Sequence, residues 1–148
     1  MRRYLIIIEL FLVLLTGCAV NPKETQEYRI ISEYGELTNL LQTRDDNSIL
    51  LDLRNNRDYE NAHCIGSINV PFDDEGEWLL KKAEENGWEE KTVYLMCGGG
   101  KRSADAFNLL VAEGFPKVVY ITFGYEEYVQ AQGYENSEGA NVCDCYQQ

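Results

Sequence analysis

Short apolar runs separated by amphipathic stretches organise the middle of the chain. Ser48-Ile49-Leu50-Leu51-Asp52-Leu53 is nearly continuous in apolar residues, the pattern of a strand buried on both faces of a parallel sheet. Thr92 to Met96 and Lys117 to Ile121 have the same character. Helical periodicity predicts helices over Glu33 to Gln42, Glu77 to Asn86 and Ser103 to Glu113. The last places Ala104, Phe107, Leu110 and Val111 on one face, with Gly114 as its stop. Tyr28 to Ile31 predicts an edge strand and Gly124 to Ala131 a closing helix. Strands alternating with helices predict an α/β fold in which helices flank a central, mainly parallel sheet. A chain of 148 residues is long enough for one such domain and too short for two ordinary ones.

The amino terminus has a different pattern. Arg2 and Arg3 precede the apolar stretch Tyr4 to Leu15, which ends in small residues, the order of regions in a secretory signal. The stretch is interrupted by Glu9 and falls short of the roughly 18 apolar residues of a membrane-spanning helix. Leu15-Thr16-Gly17-Cys18 resembles the lipobox of bacterial lipoproteins. The expected organisation is a signal peptide over residues 1–17, lipidation of Cys18, a polar tether over 18–27, the domain over 28–134, and a polar tail over 135–148. The expected location is outside the cytoplasm, anchored to the cell envelope by lipid on Cys18. Cleavage after Gly17 removes Arg2, Arg3 and Glu9 and leaves a still more acidic chain, so the acyl chains carry the membrane attachment without a basic patch.

Charge narrows the partners. The formal net charge is -12, with none of the clustered Lys and Arg that grip phosphate backbones, so nucleic acid is not an expected partner. The acidic runs Asp73 to Glu77 and Glu84 to Glu90 have the character of solvated faces.

The chemistry converges on Cys97-Gly98-Gly99-Gly100-Lys101-Arg102-Ser103, which follows an apolar strand and opens an amphipathic helix. Backbone amides at such a junction converge on an anion, and the helix dipole favours negative charge there. Cys97 is the candidate nucleophile, and Gly98, Gly99, Gly100, Lys101, Arg102 and Ser103 are the candidate substrate-binding residues. The glycines let the chain curl around the sulfur without side chains in the way. Ser103 is the expected helix N-cap. An ordinary cysteine is only about 3% thiolate at pH 7, and a helix dipole contributes about 0.3–1 kcal/mol. Amide hydrogen bonds and the cations Lys101 and Arg102 are expected to supply the rest, with Arg102 matching the planar geometry of an anionic donor. A nucleotide-binding P-loop does not fit, because the Walker spacing of its glycines and Lys-Ser/Thr pair is missing.

The arrangement resembles the rhodanese family, whose active loop runs from a strand-end cysteine to an arginine or similar residue five positions on. Other segments are similar too: Leu50-Leu51-Asp52-Leu53-Arg54, then Ala62 through Pro71, and finally Gly124-Tyr125-Glu126-Glu127-Tyr128 with Gly133. Cys64, Ile65 and Phe123 depart from the family pattern. The resemblance implies transfer of sulfane sulfur through a Cys97 persulfide, from a small anionic donor such as thiosulfate to a thiol or cyanide acceptor. It implies no metal and no organic cofactor. Four residues separate Cys97 from Arg102, one fewer than in the related phosphatase branch, which sets sulfur above phosphate chemistry. The competing class is a non-catalytic rhodanese-fold module displaying a binding surface at the membrane.

The remaining chemistry-bearing residues are expected to be structural. His63, the sole histidine, belongs to a turn, and Asp52 with Arg54 to a salt bridge or cap at a strand end. Cys143-Asp144-Cys145 lies beyond the domain; sulfur relay, a disulfide with Cys64 or Cys97, metal binding, and an incidental or structural pair stay open.

Overall fold

The computed structural model describes residues 25–73 and 75–132. The expectations for the signal peptide, for Cys18, for all but the last three residues of the tether and for the tail with its two cysteines therefore lie outside the described residues. The elements run β1 (Glu27–Ile31), α1 (Tyr34–Thr43), β2 (Ser48–Asp52), α2 (Asn56–Asn61), β3 (Ile68–Asn69) and α3 (Glu77–Asn86). A 3₁₀ turn (Trp88–Glu90), β4 (Thr92–Cys97), α4 (Lys101–Ala112), β5 (Lys117–Gly124) and α5 (Tyr125–Ala131) complete the domain. The five strands form one sheet in the order β1-β5-β4-β2-β3, and every neighbouring pair is parallel.

The near-continuous apolar strands are buried on both sides, as their composition demands. Ile49 and Leu51 of β2 and Leu53 just after it enter a core shared with Leu79 and Ala83 of α3 and Ala106 and Leu110 of α4. Leu50 turns the other way, to Leu37 of α1 and Tyr125 and Tyr128 of α5. The alternation continues in β4, where Val93, Leu95 and Cys97 face α3 and α4 while Met96 faces α1 and α5. Cys97 therefore belongs to the α4 side of the sheet, at the carboxyl edge where open α/β sheets place their ligand crevices.

Two helix boundaries depart from the sequence pattern. α4 begins at Lys101, two residues before the expected start, because Gly100 adopts φ 81° and serves as N-cap, a left-handed conformation open to glycine. Ser103 is thus not the N-cap. It falls one turn inside the helix and points into the core. The buried stripe rotates accordingly to Ser103, Ala106 and Leu110, with Phe107 and Val111 packed alongside and Ala104 only half-buried. α2 escaped the periodicity because Asn56–Asn61 carries no buried residue. Its start is set locally, by the Asn55 side chain accepting from the Asp58 amide at 2.9 Å.

Candidate active site

A cage of backbone amides surrounds the Cys97 sulfur. After Cys97 the chain turns through Gly98 and Gly99, both exposed, and at Gly100 enters α4. The Gly100 amide donates to Cys97 Sγ at 3.1 Å. Burial pushes the thiol up, but the Ser103 hydroxyl and the amides of Gly99, Ser103 and Gly100 outweigh it. The net effect holds the Cys97 pKa below the ordinary thiol value. The Ser103 hydroxyl is fully buried and favours the thiolate without making a hydrogen bond of good geometry. Cys97 itself is 1% exposed, while the adjoining Gly98 and Gly99 are exposed.

The loop keeps its shape because two glycines let backbone approach backbone. A β-carbon at Gly100 would overlap the Thr122 carbonyl, and one at Gly124 would overlap the Gly98 carbonyl. Gly124 is the register partner of Cys97 across β4 and β5. Phe123, the departure just before it, points to the other face, where its ring meets Tyr34 edge-on at 4.7 Å. A large side chain is harmless there.

Arg102 and Lys101 occupy different settings. The Arg102 Nη1 donates to the Leu53 carbonyl at 3.2 Å, and the guanidinium lies against Gly98, beside the mouth of the loop. Lys101, 85% exposed at its side chain, pairs with Asp105 one helical turn on at 2.8 Å. Exposure at that level screens its field. The amides expected from the sequence do act on the thiolate, and the Ser103 hydroxyl joins them.

Asp52 and Arg54 form the expected ion pair at the end of β2, with 2.7 Å between Nη2 and Oδ2 and both side chains at least 95% buried. Arg54 also donates to the Ala62 carbonyl at 2.6 Å and stacks over the Tyr125 ring at 4.2 Å. The pair holds its arginine charged, since the Asp52 hydrogen bond and charge outweigh burial. This fastening joins the end of β2, the end of α2 and the start of α5. Removing one partner strands a buried charge, a loss of about 3–5 kcal/mol. Arg54→Met is therefore expected to lower stability by about that amount in urea titration at neutral pH, and a loss under about 1 kcal/mol would count against the pair's structural role.

His63 packs against α2. Its Nδ1 contacts the Tyr59 carbonyl at 2.8 Å and its ring stacks on Tyr59 at 3.8 Å. Cys64 lies buried on the α1/α5 face, donating to Met96 Sδ at 3.6 Å.

The family model for the rhodanese-like domain matches residues 34–131, a span that takes in the sheet core and the whole Cys97 loop. The chain belongs to the rhodanese-like domain family. A tRNA uridine(34) hydroxylase of Hamiltonella defensa is 32% identical over 74% of this chain and 30% of its own length. The putative sulfur carrier protein YrkF of Bacillus subtilis is 32% identical over 57% of this chain and 43% of its own length. The solved thiosulfate sulfurtransferase of Pseudomonas aeruginosa superposes with a TM-score of 0.58 at 25% identity, covering 73% of this chain and 20% of that one. This chain thus spans less than half of the length of each of these three relatives.

Within this rhodanese-like domain, the structure brings Gly98, Gly99, Gly100, Arg102 and Ser103 around Cys97 and leaves Lys101 on the outer surface. Sequence reasoning missed the contact that Gly124 makes with the loop. Its signal was a glycine closing an apolar strand, where a strand end alone has no need of one.

A depressed thiol has a direct readout. The rate of Cys97 alkylation by iodoacetamide should rise through a midpoint below that of an ordinary cysteine, since thiolate accumulates as pH climbs through the lowered pKa. Ser103→Ala removes the facing hydroxyl, so the midpoint should move to higher pH. A midpoint unmoved by the substitution would remove Ser103 from the account.

Proposed function

We propose that this domain is a sulfurtransferase that carries sulfane sulfur as a persulfide on Cys97. The observation that carries this reading is the Cys97 sulfur, held by the Gly100 amide at 3.1 Å and kept acidic by its neighbours, beneath a rim of exposed glycines. In the first step the Cys97 thiolate attacks the outer sulfur of thiosulfate or a similar anionic donor. The sulfur–sulfur bond of the donor breaks, sulfite leaves with the electron pair, and the new persulfide sits in the amide cage. In the second step a thiol or cyanide takes the outer sulfur and restores the thiolate. Arg102, beside the loop mouth, is placed to meet the anionic donor; Lys101 adds only a screened attraction from outside. Nothing in these steps calls on a metal or organic cofactor.

The relatives named as a sulfur carrier and a thiosulfate sulfurtransferase support sulfur as the cargo. The tRNA role of the hydroxylases is not carried over, because a chain of net charge -12 is poorly matched to a polyanion. Incubating the protein with thiosulfate should add the mass of one sulfur atom, and cyanide should remove it with release of thiocyanate. A chain that gains no mass would be the non-catalytic binding module instead. We further propose export and anchoring through lipid on Cys18. Globomycin should then block processing in cells, and unchanged processing with no acyl label on Cys18 would overturn the anchor.

A further inference from the structure

We propose that Asn69 is a positioning residue for the anionic donor: its side-chain amide holds the strand end on which Arg102 rests. This rests on the sulfurtransferase reading and adds to it the residue that aims the arginine.

Hydrogen bonds run without a break from Asn69 to Arg102. β3 consists of Ile68 and Asn69 alone, and Asn69 is the register partner of Asp52 at the end of β2. So short an edge strand offers little ladder to hold its neighbour. Asn69 adds a bracket from its side chain, whose Nδ2 donates to the Asp52 carbonyl and to the Arg54 carbonyl, each at 2.9 Å. Both protons of the amide group are used in this way. An oxygen in that place would face two carbonyl oxygens, so the partners fix which way the amide points. Leu53 lies between the two bracketed residues. Its carbonyl accepts from the Phe72 amide at 3.2 Å and from Arg102 Nη1 at 3.2 Å.

The Leu53 carbonyl thus moors one amino group of the guanidinium and leaves the other at the mouth of the loop. A β-carbon at Gly98 would stand 3.2 Å from Arg102 Nη2. A carbonyl holds an arginine without neutralising it, so the full positive charge faces the place where an anion approaches Cys97. A moored side chain also gives up less rotamer freedom when it grips a ligand. Without the bracket, the Leu53 carbonyl is free to turn away from Arg102, and the charge leaves the mouth while the amides around Cys97 stay in place.

The test compares two alkylating agents at Cys97, anionic iodoacetate and neutral iodoacetamide, with rates read on the Cys97 peptide by mass spectrometry. Asn69→Ala should lower the iodoacetate-to-iodoacetamide rate ratio by about fivefold, the scale of one unit-charge pair at about 4 Å in water. The pH midpoint of the iodoacetamide reaction should not move. In an Arg102→Ala chain the same substitution should change the ratio by less than about 1.5-fold, because the two residues act as one unit. Sulfur uptake from thiosulfate should follow the ratio, with KM raised in Asn69→Ala and no further rise when the change is added to Arg102→Ala. Asn69→Ser, which keeps one donor, should show a smaller drop of the same kind, and it supplies the readout if the alanine variant does not fold. An unchanged ratio, an equal drop in both backgrounds, or a shifted midpoint would each overturn the positioning role. A wild type that takes no sulfur from thiosulfate would overturn the sulfurtransferase reading, while the alkylation ratios, which need no sulfur transfer, would still decide the role of Asn69.

Discussion

A Gly124→Val chain should lose sulfur transfer by about 100-fold or more while keeping Cys97 and its fold. The reason is steric and local. A β-carbon at Gly124 would overlap the Gly98 carbonyl, and the obstacle is backbone on both sides, so no side chain can swing away. The strand edge must open or the loop must shift, and a displacement of about 1 Å at a reacting centre costs on the order of 100-fold in rate. The amides that acidify Cys97 move with the loop, so the alkylation midpoint should rise together with the loss of transfer. Kinetics and the alkylation profile check this on protein whose far-ultraviolet dichroism matches the wild type. Transfer within threefold of wild type would show that the Gly98 and Gly124 contact is dispensable.

Cys97→Ser should abolish sulfur uptake outright, with no mass gain in thiosulfate and thiocyanate production at the uncatalysed background. Serine is close in size and can accept from the Gly100 amide as the sulfur does, so the fold should be retained, as unchanged far-ultraviolet dichroism would show. Its hydroxyl, however, stays protonated at neutral pH and forms no sulfur–sulfur bond. The variant thus separates chemistry from architecture. Turnover surviving in it would move the nucleophile elsewhere in the chain.

The legible and illegible parts of the structure divide along physical lines. β2, β4 and β5 were readable because strands covered on both faces must be apolar nearly throughout, and α1, α3 and α4 because one packed face imposes a period. The parallel sheet followed from their alternation. α2 was not readable, since six residues without a buried side chain leave no period, and β3 is only two residues long. The nucleophile and its glycines were legible because a cysteine between strand and helix with three glycines after it has few other uses. The stabilisers were partly misassigned. Ser103 looked like an N-cap by residue type, but the positive φ of Gly100 starts the helix earlier and swings the Ser103 hydroxyl inward to the sulfur. Lys101 and Arg102 were expected to help the amides by charge, but Lys101 is exposed and paired with Asp105 and Arg102 donates to the Leu53 carbonyl. Gly124 illustrates a further limit, because its role depends on a contact with residues far away in the sequence.

Building the anion cage from peptide N–H groups has an evolutionary consequence. Every residue except proline carries that group, so the acidity of Cys97 is largely insulated from which side chains stand at the rim. Gly98 and Gly99 are exposed, neither adopts a positive φ, and Gly99 has open space where a side chain would begin. Substitutions at Gly99 therefore offer natural drift or laboratory selection a way to change what the domain accepts without retuning the thiolate beneath.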